Sequence, residues 1–239
     1  MSYDGGSLSY FAFNTQKSPA DNEDLRKAVA YGIDVDSIIA VAAEGRGKKA
    51  TSFWGWNEYG FYDCGGYEYN PDKAKRVSGK GISNGGATLD VTVSGAERKT
   101  IAEMIQSQLK EIGIAINIVE LDSAGLSTST KGDHQSCIYG MGFNIFGDDA
   151  RRILQPGSAV NKAHYDDPEV MELLIRLLQK QMRQREKSII KRFRKMFMSM
   201  FRIFTLLCRW FYRCEKGTGG IDIYPTSHHD YSKVFVPAD

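Results

Sequence analysis

The alternation of apolar and polar residues is clearest between Ala87 and Leu121, and it changes period twice. Leu89, Val91 and Val93 alternate with Thr88, Asp90 and Thr92, which is the period of a half-buried strand. Ser94-Gly95 ends that strand. Glu97 to Ile112 then places Ile101, Met104, Ile105, Leu109 and Ile112 on one helical face, and Gly113 stops the helix. Ala115 to Leu121 alternates again. Strand, helix and strand in this order predict a βαβ unit with parallel strands, against which the rest of the chain has to pack.

The flanking segments predict further α and β elements. Leu8 to Phe13 reads as a short apolar strand. Asp21-Asn22 caps a helix over Glu23 to Gly32, with Leu25, Ala28 and Val29 inward. Asp34 caps a second helix through Ile38, Ile39 and Val41 that stops near Gly45. Gly45 to Gly66 reads as a loop rich in aromatics, and Asn70-Pro71 starts a helix that Gly79 and Gly81 break. Asp122 to Gln135 reads as a polar loop, Cys137 to Asn144 as an apolar strand, and Gly147-Asp148-Asp149 as the turn after it. Asp166-Asp167-Pro168 opens a helix at Glu169, with Met171, Leu174, Ile175 and Leu178 inward. The tail Ile221 to Val236 holds one short strand, Lys233 to Val236, and no internal repeat is present.

Charge divides the chain. Gln179 to Cys214 holds eleven Lys and Arg against one acid, Glu186, a net +10, which leaves −8 on the rest of a chain whose total is +2. Cys64, Cys137, Cys208 and Cys214 show no CxxC spacing, so a cysteine metal cluster is not expected, and disulfides stay open. No run of apolar residues reaches the ~20 needed for a membrane-spanning helix, and the start of the chain lacks the pattern of a signal peptide. No Ser/His/Asp or Cys/His constellation stands out with recognisable context, no Walker loop is present, and no cofactor is expected.

These pieces, in this order, resemble the solute-binding proteins of ABC transporters that handle oligopeptides, dipeptides and nickel. The residues that carry the resemblance are Tyr10-Phe-Ala-Phe-Asn14, Leu25-Arg-Lys-Ala-Val29, Ile33-Asp34 with Ile38-Ile39, Trp54-Gly-Trp-Asn57, Asn70-Pro-Asp-Lys-Ala-Lys75, the helix Ile101 to Gly113, and Gly132-Asp-His-Gln135 with Tyr139-Gly-Met-Gly-Phe143. The resemblance covers about Leu8 to Leu178 and Gly219 to Val236. It implies an α/β fold: a periplasmic-binding-protein-like second lobe with a βαβ core and a mixed sheet, incomplete because the N-terminal lobe is absent. Residues 1–220 would form that lobe and residues 221–239 a tail returning toward the first. The implied partners are a peptide or other small solute and an ABC permease in the membrane, with no nucleic acid. The implied location is periplasmic, or extracellular and membrane-associated.

One segment departs from the family pattern. After the Glu169 helix the family carries an amphipathic helix and then an Asp-x-Pro-Tyr-Ile-Pro-Leu-Tyr-Tyr strand, where this chain has Lys191 to Phe204 rich in Arg, Lys, Met and Phe. Codons can be chosen for Lys191 to Phe204 that, read one base earlier, encode a segment containing Val-Asp-Val-Pro-Tyr-Ile. Leu206 to Cys214, read one base later, can encode Tyr-Tyr-Ala-Asp-Gly-Ser-Ile-Ala-Val. Residues 188–214 therefore read as out-of-frame translation. Read as written, the segment demands a long basic helix, apolar nearly all round, that leaves the neighbouring strands with open edges. The rival function is then an amphipathic-helix module over 179–214 that binds an anionic membrane or nucleic acid.

The ligand-binding candidates are Asp148, Asp149, Trp54, Trp56, Phe143 and Asn144. In the family an acidic residue near Asp148 and Asp149 holds the cationic amine of a peptide, and a solvated turn is the alternative. The aromatic residues would stack on ligand side chains, or plug the edge of a core. Relatives that bind peptides often carry Arg after the strand matching Leu89 to Val93, where Ser94-Gly95 stands here. Arg151 and Arg152 would pair with the aspartates or with a ligand carboxylate, or start a solvated helix. His134 and the pair His228-His229 are weaker candidates for a metal, and none is assigned.

Overall fold

The structure, a computed structural model, describes residues 2–52, 63, 65–81, 86–142, 152–181, 204–213, 222–223 and 229–230. In chain order these form β1 (Ser2–Phe13), α1 (Glu23–Gly32), α2 (Val35–Ala42), β2 (Gly47–Lys49), α3 (Pro71–Gly81), β3 (Ala87–Val93), α4 (Ala96–Lys110), β4 (Ile114–Glu120), α5 (Ser123–Ser129), β5 (Ser136–Gly142), α6 (Pro168–Gln181), β6 (Phe204–Arg213), β7 (Asp222–Ile223) and β8 (His229–Asp230). β1 to β6 make one mixed sheet in the order β2-β6-β1-β5-β3-β4, and β7 pairs with β8.

The βαβ unit forms as its pattern predicts. β3 and β4 pair in parallel from Ala87 opposite Ile114 to Val93 opposite Glu120. Ile101, Ile105 and Leu109 of α4 are fully buried, and Ile112 nearly so. The two strands enter side by side: a Cβ on Gly86 would lie 2.5 Å from the Gly113 carbonyl oxygen, and both residues have positive φ. Only glycine fits that approach. β5 joins the other side of β3 in parallel and runs antiparallel to β1, so the sheet is mixed.

The main core lies on one face. Phe11 and Phe13 of β1, Leu89, Val91 and Val93 of β3 and Ile138 of β5 pack against Leu25 and Val29 of α1, Ile38 of α2 and the buried face of α4. The helix starts are capped as their sequences foretell. The Asn22 side chain accepts from the amides of Asp24 and Leu25, and Asp34 Oδ1 accepts from the Ser37 amide. By alternation, the other face of the sheet carries Tyr10 of β1 and Cys137 and Tyr139 of β5, none of which belongs to that core.

Several expectations are corrected. Asp122 to Gln135 is not all loop. Asp122 Oδ1 accepts from the Gly125 amide at 2.6 Å and starts α5, in which the Ser- and Thr-rich composition hides a capped helix. The helix expected through Ile38, Ile39 and Val41 forms as α2, which buries Val35, Ile38 and Ile39 and leaves Val41 60% exposed. On α6, Ile175 is 41% exposed, whereas Val170, Leu173 and Leu174 are buried, so the buried stripe lies one position before the one expected. Gly45 to Gly66 includes β2, which pairs with β6. Cys137 is a free, buried thiol. The strand expected at Lys233 to Val236 lies outside the described residues.

The largest correction concerns the basic segment. Phe204–Arg213 is strand β6, not helix. It lies antiparallel to β1 from Ala12 opposite Phe204 to Ser2 opposite Arg213, with β2 on its far side. It therefore closes the edge of β1 that a helix would have left open. Phe, Thr, Leu, Cys, Trp and Tyr dominate this run, and these residues suit a strand. Residues 204–213 are thus no part of a basic-helix module. Of the rest of that segment, Gln179 to Gln181 end α6, and 182–203 with Cys214 lie outside the described residues.

Candidate ligand-binding site

In open α/β sheets ligands bind outside the carboxyl ends of the parallel strands. Here that edge is staggered. Ser136 and Cys137 of β5 already pair with Val91 and Thr92 of β3, so the rest of β5 runs past Val93, with β1 alongside through Ser7 opposite Gly142.

Arg98, in the first turn of α4, occupies the step that this stagger creates. Its Nη1 donates to the Ser94 carbonyl at 3.3 Å. Its Nη2 lies 2.8 Å from where a Cβ on Gly140 would stand, and the Ser9 hydroxyl is 3.4 Å from the same point. The Arg98 Nε is buried without a hydrogen-bond partner. A guanidinium thus braces the projecting end of β5, and the missing side chain of Gly140 makes the room. Ser94 also brings its hydroxyl within 3.5 Å of Ser123 at the start of α5.

β5 ends at Gly142. Phe143, Asn144, Asp148 and Asp149, with Trp54 and Trp56 of the aromatic loop, lie outside the described residues, as does Arg151. Arg152 is exposed in a single helical turn.

A second constellation, unforeseen apart from His134, lies where β1 ends and β5 begins. His134 is 3% exposed, and its Nε2 stands 2.7 Å from the Lys162 carbonyl oxygen. A carbonyl only accepts, so Nε2 carries the proton of the neutral ring and Nδ1, buried and without a hydrogen-bond partner, does not. Burial pushes the His134 pKa down to about 4. His164 and Lys162 act in the same sense, against the backbone carbonyls of Lys162 and Ser129. Lys162 is 3% exposed. Its ammonium donates to Thr130 Oγ1 at 2.7 Å and lies 5.0 Å over the Tyr139 ring, and burial lowers its pKa. Burial pushes the neighbouring Cys137 thiol up to about 12, which leaves it unreactive.

The segment 155–166 is fastened to this point by several hydrogen bonds. The amide and hydroxyl of Thr15 both donate to the Ala163 carbonyl, Gln16 Nε2 donates to the His164 carbonyl, and His164 Nε2 approaches the Thr130 carbonyl at 3.2 Å. A cavity of about 330 Å³ opens beside it, lined by Gln16, Thr130, Lys131, Ser158 and His164 among others. Among the described residues no three His, Cys, Asp or Glu side chains gather as a metal site would require. The Gly132 to Gln135 motif is the one signal in the sequence that points to His134. Nothing in the pattern around Lys162 signals a buried ammonium.

Residues 1–162 match the profile of the middle region of the bacterial extracellular solute-binding proteins, family 5. The chain is similar to the dipeptide-binding protein of Escherichia coli (strain K12), 28% identical over 152 residues that cover 59% of this chain and 28% of that protein. It is similar to the heme-binding protein A of Haemophilus influenzae, 29% identical over 148 residues, 57% of this chain and 26% of that one. Among solved structures, HbpA2 from Haemophilus parasuis superposes with a TM-score of 0.83 at 21% identity, over 100% of this chain and 50% of that chain. The oligopeptide-binding protein AppA of Bacillus subtilis, in complex with a nonapeptide, gives 0.81 at 18% identity, over 100% and 52%. The chain thus spans about half the length of these solved proteins, and its alignments cover about a quarter of the curated relatives. With more than half of its length matched, the chain belongs to family 5 of the bacterial extracellular solute-binding proteins.

Proposed function

We propose that this chain is part of the solute-binding component of an ABC importer, that it acts outside the cytoplasmic membrane, and that its ligand is a peptide or a peptide-like solute. It would bind rather than catalyse. The observation that carries the reading is the family match over residues 1–162, in which the fold also matches proteins whose structures hold peptides. In this reading residues 1–220 are the second of two lobes, residues 221–239 return toward the first, and the binding cleft lies between the lobes. Phe143, Asn144, Asp148 and Asp149 would follow β5 into that cleft, with Trp54 and Trp56 stacking on ligand side chains. A carboxylate there would hold a peptide amine by a charge-assisted hydrogen bond. Closure of the lobes on the solute would present it to a membrane permease.

The test is calorimetry with di- and tripeptides on two proteins. The 239-residue chain alone is expected to give no binding in the micromolar range, because it supplies one wall of the cleft. A protein in which a first lobe of this family precedes the chain and the re-framed residues replace 188–214 is expected to bind. In that longer protein, Asp148→Asn or Asp149→Asn should weaken a cationic peptide by about 1–3 kcal/mol. Failure of the longer protein to bind any peptide would overturn the ligand class, and unchanged affinity in both variants would return the two aspartates to a turn role.

A further inference from the structure

We propose that segment 155–166 is an acid-released latch, held closed by the neutral imidazole of His134 and freed when that ring takes up a proton. The geometry leaves the added proton no acceptor of matching charge. Nε2 is already committed to the Lys162 carbonyl, so the proton goes to Nδ1, which is buried and without a hydrogen-bond partner.

Every charged or titratable group that faces the ring makes this worse or does nothing to help. From segment 155–166 come the Lys162 ammonium and the His164 ring, the latter with its centroid 5.6 Å away. Lys131, in the turn after α5, adds a further positive charge beside Lys162. β5 offers the Cys137 thiol, which burial keeps protonated. Asp133, the chain neighbour, is exposed and points no oxygen within ion-pair distance, and Asp166 sits at the exposed rim of the cavity. Asp167 is engaged by the Tyr165 hydroxyl and by the first amides of α6. No carboxylate lies within ion-pair distance of the ring among the described residues.

A buried imidazolium beside an ammonium relieves itself by reaching water. The backbone of His134 is held to the sheet, because Asn14 Nδ2 donates to the His134 carbonyl at 2.9 Å and the Asn14 amide to the Gln135 carbonyl at 2.8 Å. The side chain and segment 155–166 are therefore the parts that separate. Their separation breaks the hydrogen bonds from Thr15 and Gln16 to Ala163 and His164. Opening would widen the adjoining cavity and loosen segment 155–166 ahead of α6.

The experiment is hydrogen exchange on the 239-residue chain from pH 7 to pH 4, with rates corrected for their intrinsic pH dependence. The Thr15 amide, bonded to the Ala163 carbonyl, reports the latch. Its protection is expected to fall about tenfold per pH unit between the ordinary histidine value and about 4, while amides of β3 and β4 hold theirs. His134→Gln keeps an N–H for the Lys162 carbonyl and removes the titration, so its Thr15 protection should be flat over this range. A Thr15 amide that keeps its protection at pH 4 overturns the proposal, and so does an acid slope that survives in His134→Gln. Should that variant not fold, the ring protons of the parent decide. A His134 ring that titrates below pH 5 together with the Thr15 amide supports the latch. A ring that titrates near 6.5 with that amide unmoved refutes it.

Discussion

Arg98 and Gly140 should behave as one unit. An alanine methyl at Gly140 would stand 2.8 Å from Arg98 Nη2, well inside van der Waals contact, and 3.4 Å from the Ser9 hydroxyl. Arg98 is held by its bond to the Ser94 carbonyl, and its Nε is buried. Overpacking of this kind costs about 1–3 kcal/mol. Set against it is the entropy that glycine wastes in a strand, about 0.5–1 kcal/mol in favour of alanine. Gly140→Ala should therefore destabilise the parent by about 1–2 kcal/mol, a fall of roughly 2–8 °C in midpoint for a chain of this size. In an Arg98→Ala background the obstruction is gone, and the same substitution should be neutral or stabilising by about 0.5–1 kcal/mol. The double-mutant cycle then gives a coupling of about 1–3 kcal/mol between two residues far apart in sequence. Urea unfolding of the four proteins, followed by circular dichroism, measures it. An equal cost of Gly140→Ala in both backgrounds would refute the bracing role of Arg98.

Three further outcomes are expected. Gly32→Ala would place a methyl 2.7 Å from Ile112 Cδ1 and 2.8 Å from Leu109 Cδ2, both buried under α1, and should cost about 1–2 kcal/mol in the same unfolding assay. Lys162→Met should stabilise the chain at pH 7 by about 1–2 kcal/mol, because it removes a buried ammonium that is bonded only to a hydroxyl and a ring. The sign has a pH signature. The folded pKa of Lys162 is depressed, so protonation favours the unfolded chain, the parent gains stability as pH rises toward 10.5, and the advantage of the variant shrinks over that window. On the reading of 188–214 as out of frame, replacing those residues with the re-framed ones should raise both the unfolding temperature and the soluble yield, and a fall in both would count against it.

The βαβ unit and the first two helices are legible because each announces itself locally. Their apolar positions follow one period, and Asn22 and Asp34 stand where caps belong. α5 is hard to see because Ser123 to Ser129 has weak helix propensity and only Leu126 to bury, so the whole signal rests on Asp122. Spacing alone places Ile175 inward. On α6 that spacing leaves two adjacent stripes available, and packing chooses the one through Val170, Leu173 and Leu174. The cluster of His134 and Lys162 depends on the antiparallel pairing of β1 with β5 and on a distant loop folding back, a contact that no local pattern encodes. Arg98 is hidden for the same reason. Ser94 and Gly95 occupy the position after β3, while the guanidinium that reaches that edge starts one helical turn later.

Strand β6 follows a different logic. β1 is fully buried from Tyr10 to Phe13, and β5 satisfies the backbone on one side only. A buried strand with a row of unpaired amides and carbonyls on its other side would lose several hydrogen bonds' worth of free energy, so that side calls for a partner strand. The demand comes from β1, whose sequence fits its family, and it acts on backbone groups that every residue but proline supplies in full. Phe204–Arg213 contains no proline and is rich in residues that tolerate the extended form, so it meets the demand whatever its side chains were selected for. The irregularities in the pairing fit this view: the register of β6 on β1 shifts between Asp4 and Leu8 and again between Ser9 and Tyr10. Backbone complementarity can recruit a strand into a sheet, while side-chain alternation is what fixes its register. A strand recruited by its neighbour rather than specified by its own alternation is expected to pair with bulges, and β6 does so along the same strand, β1, that pairs with β5 without a single shift.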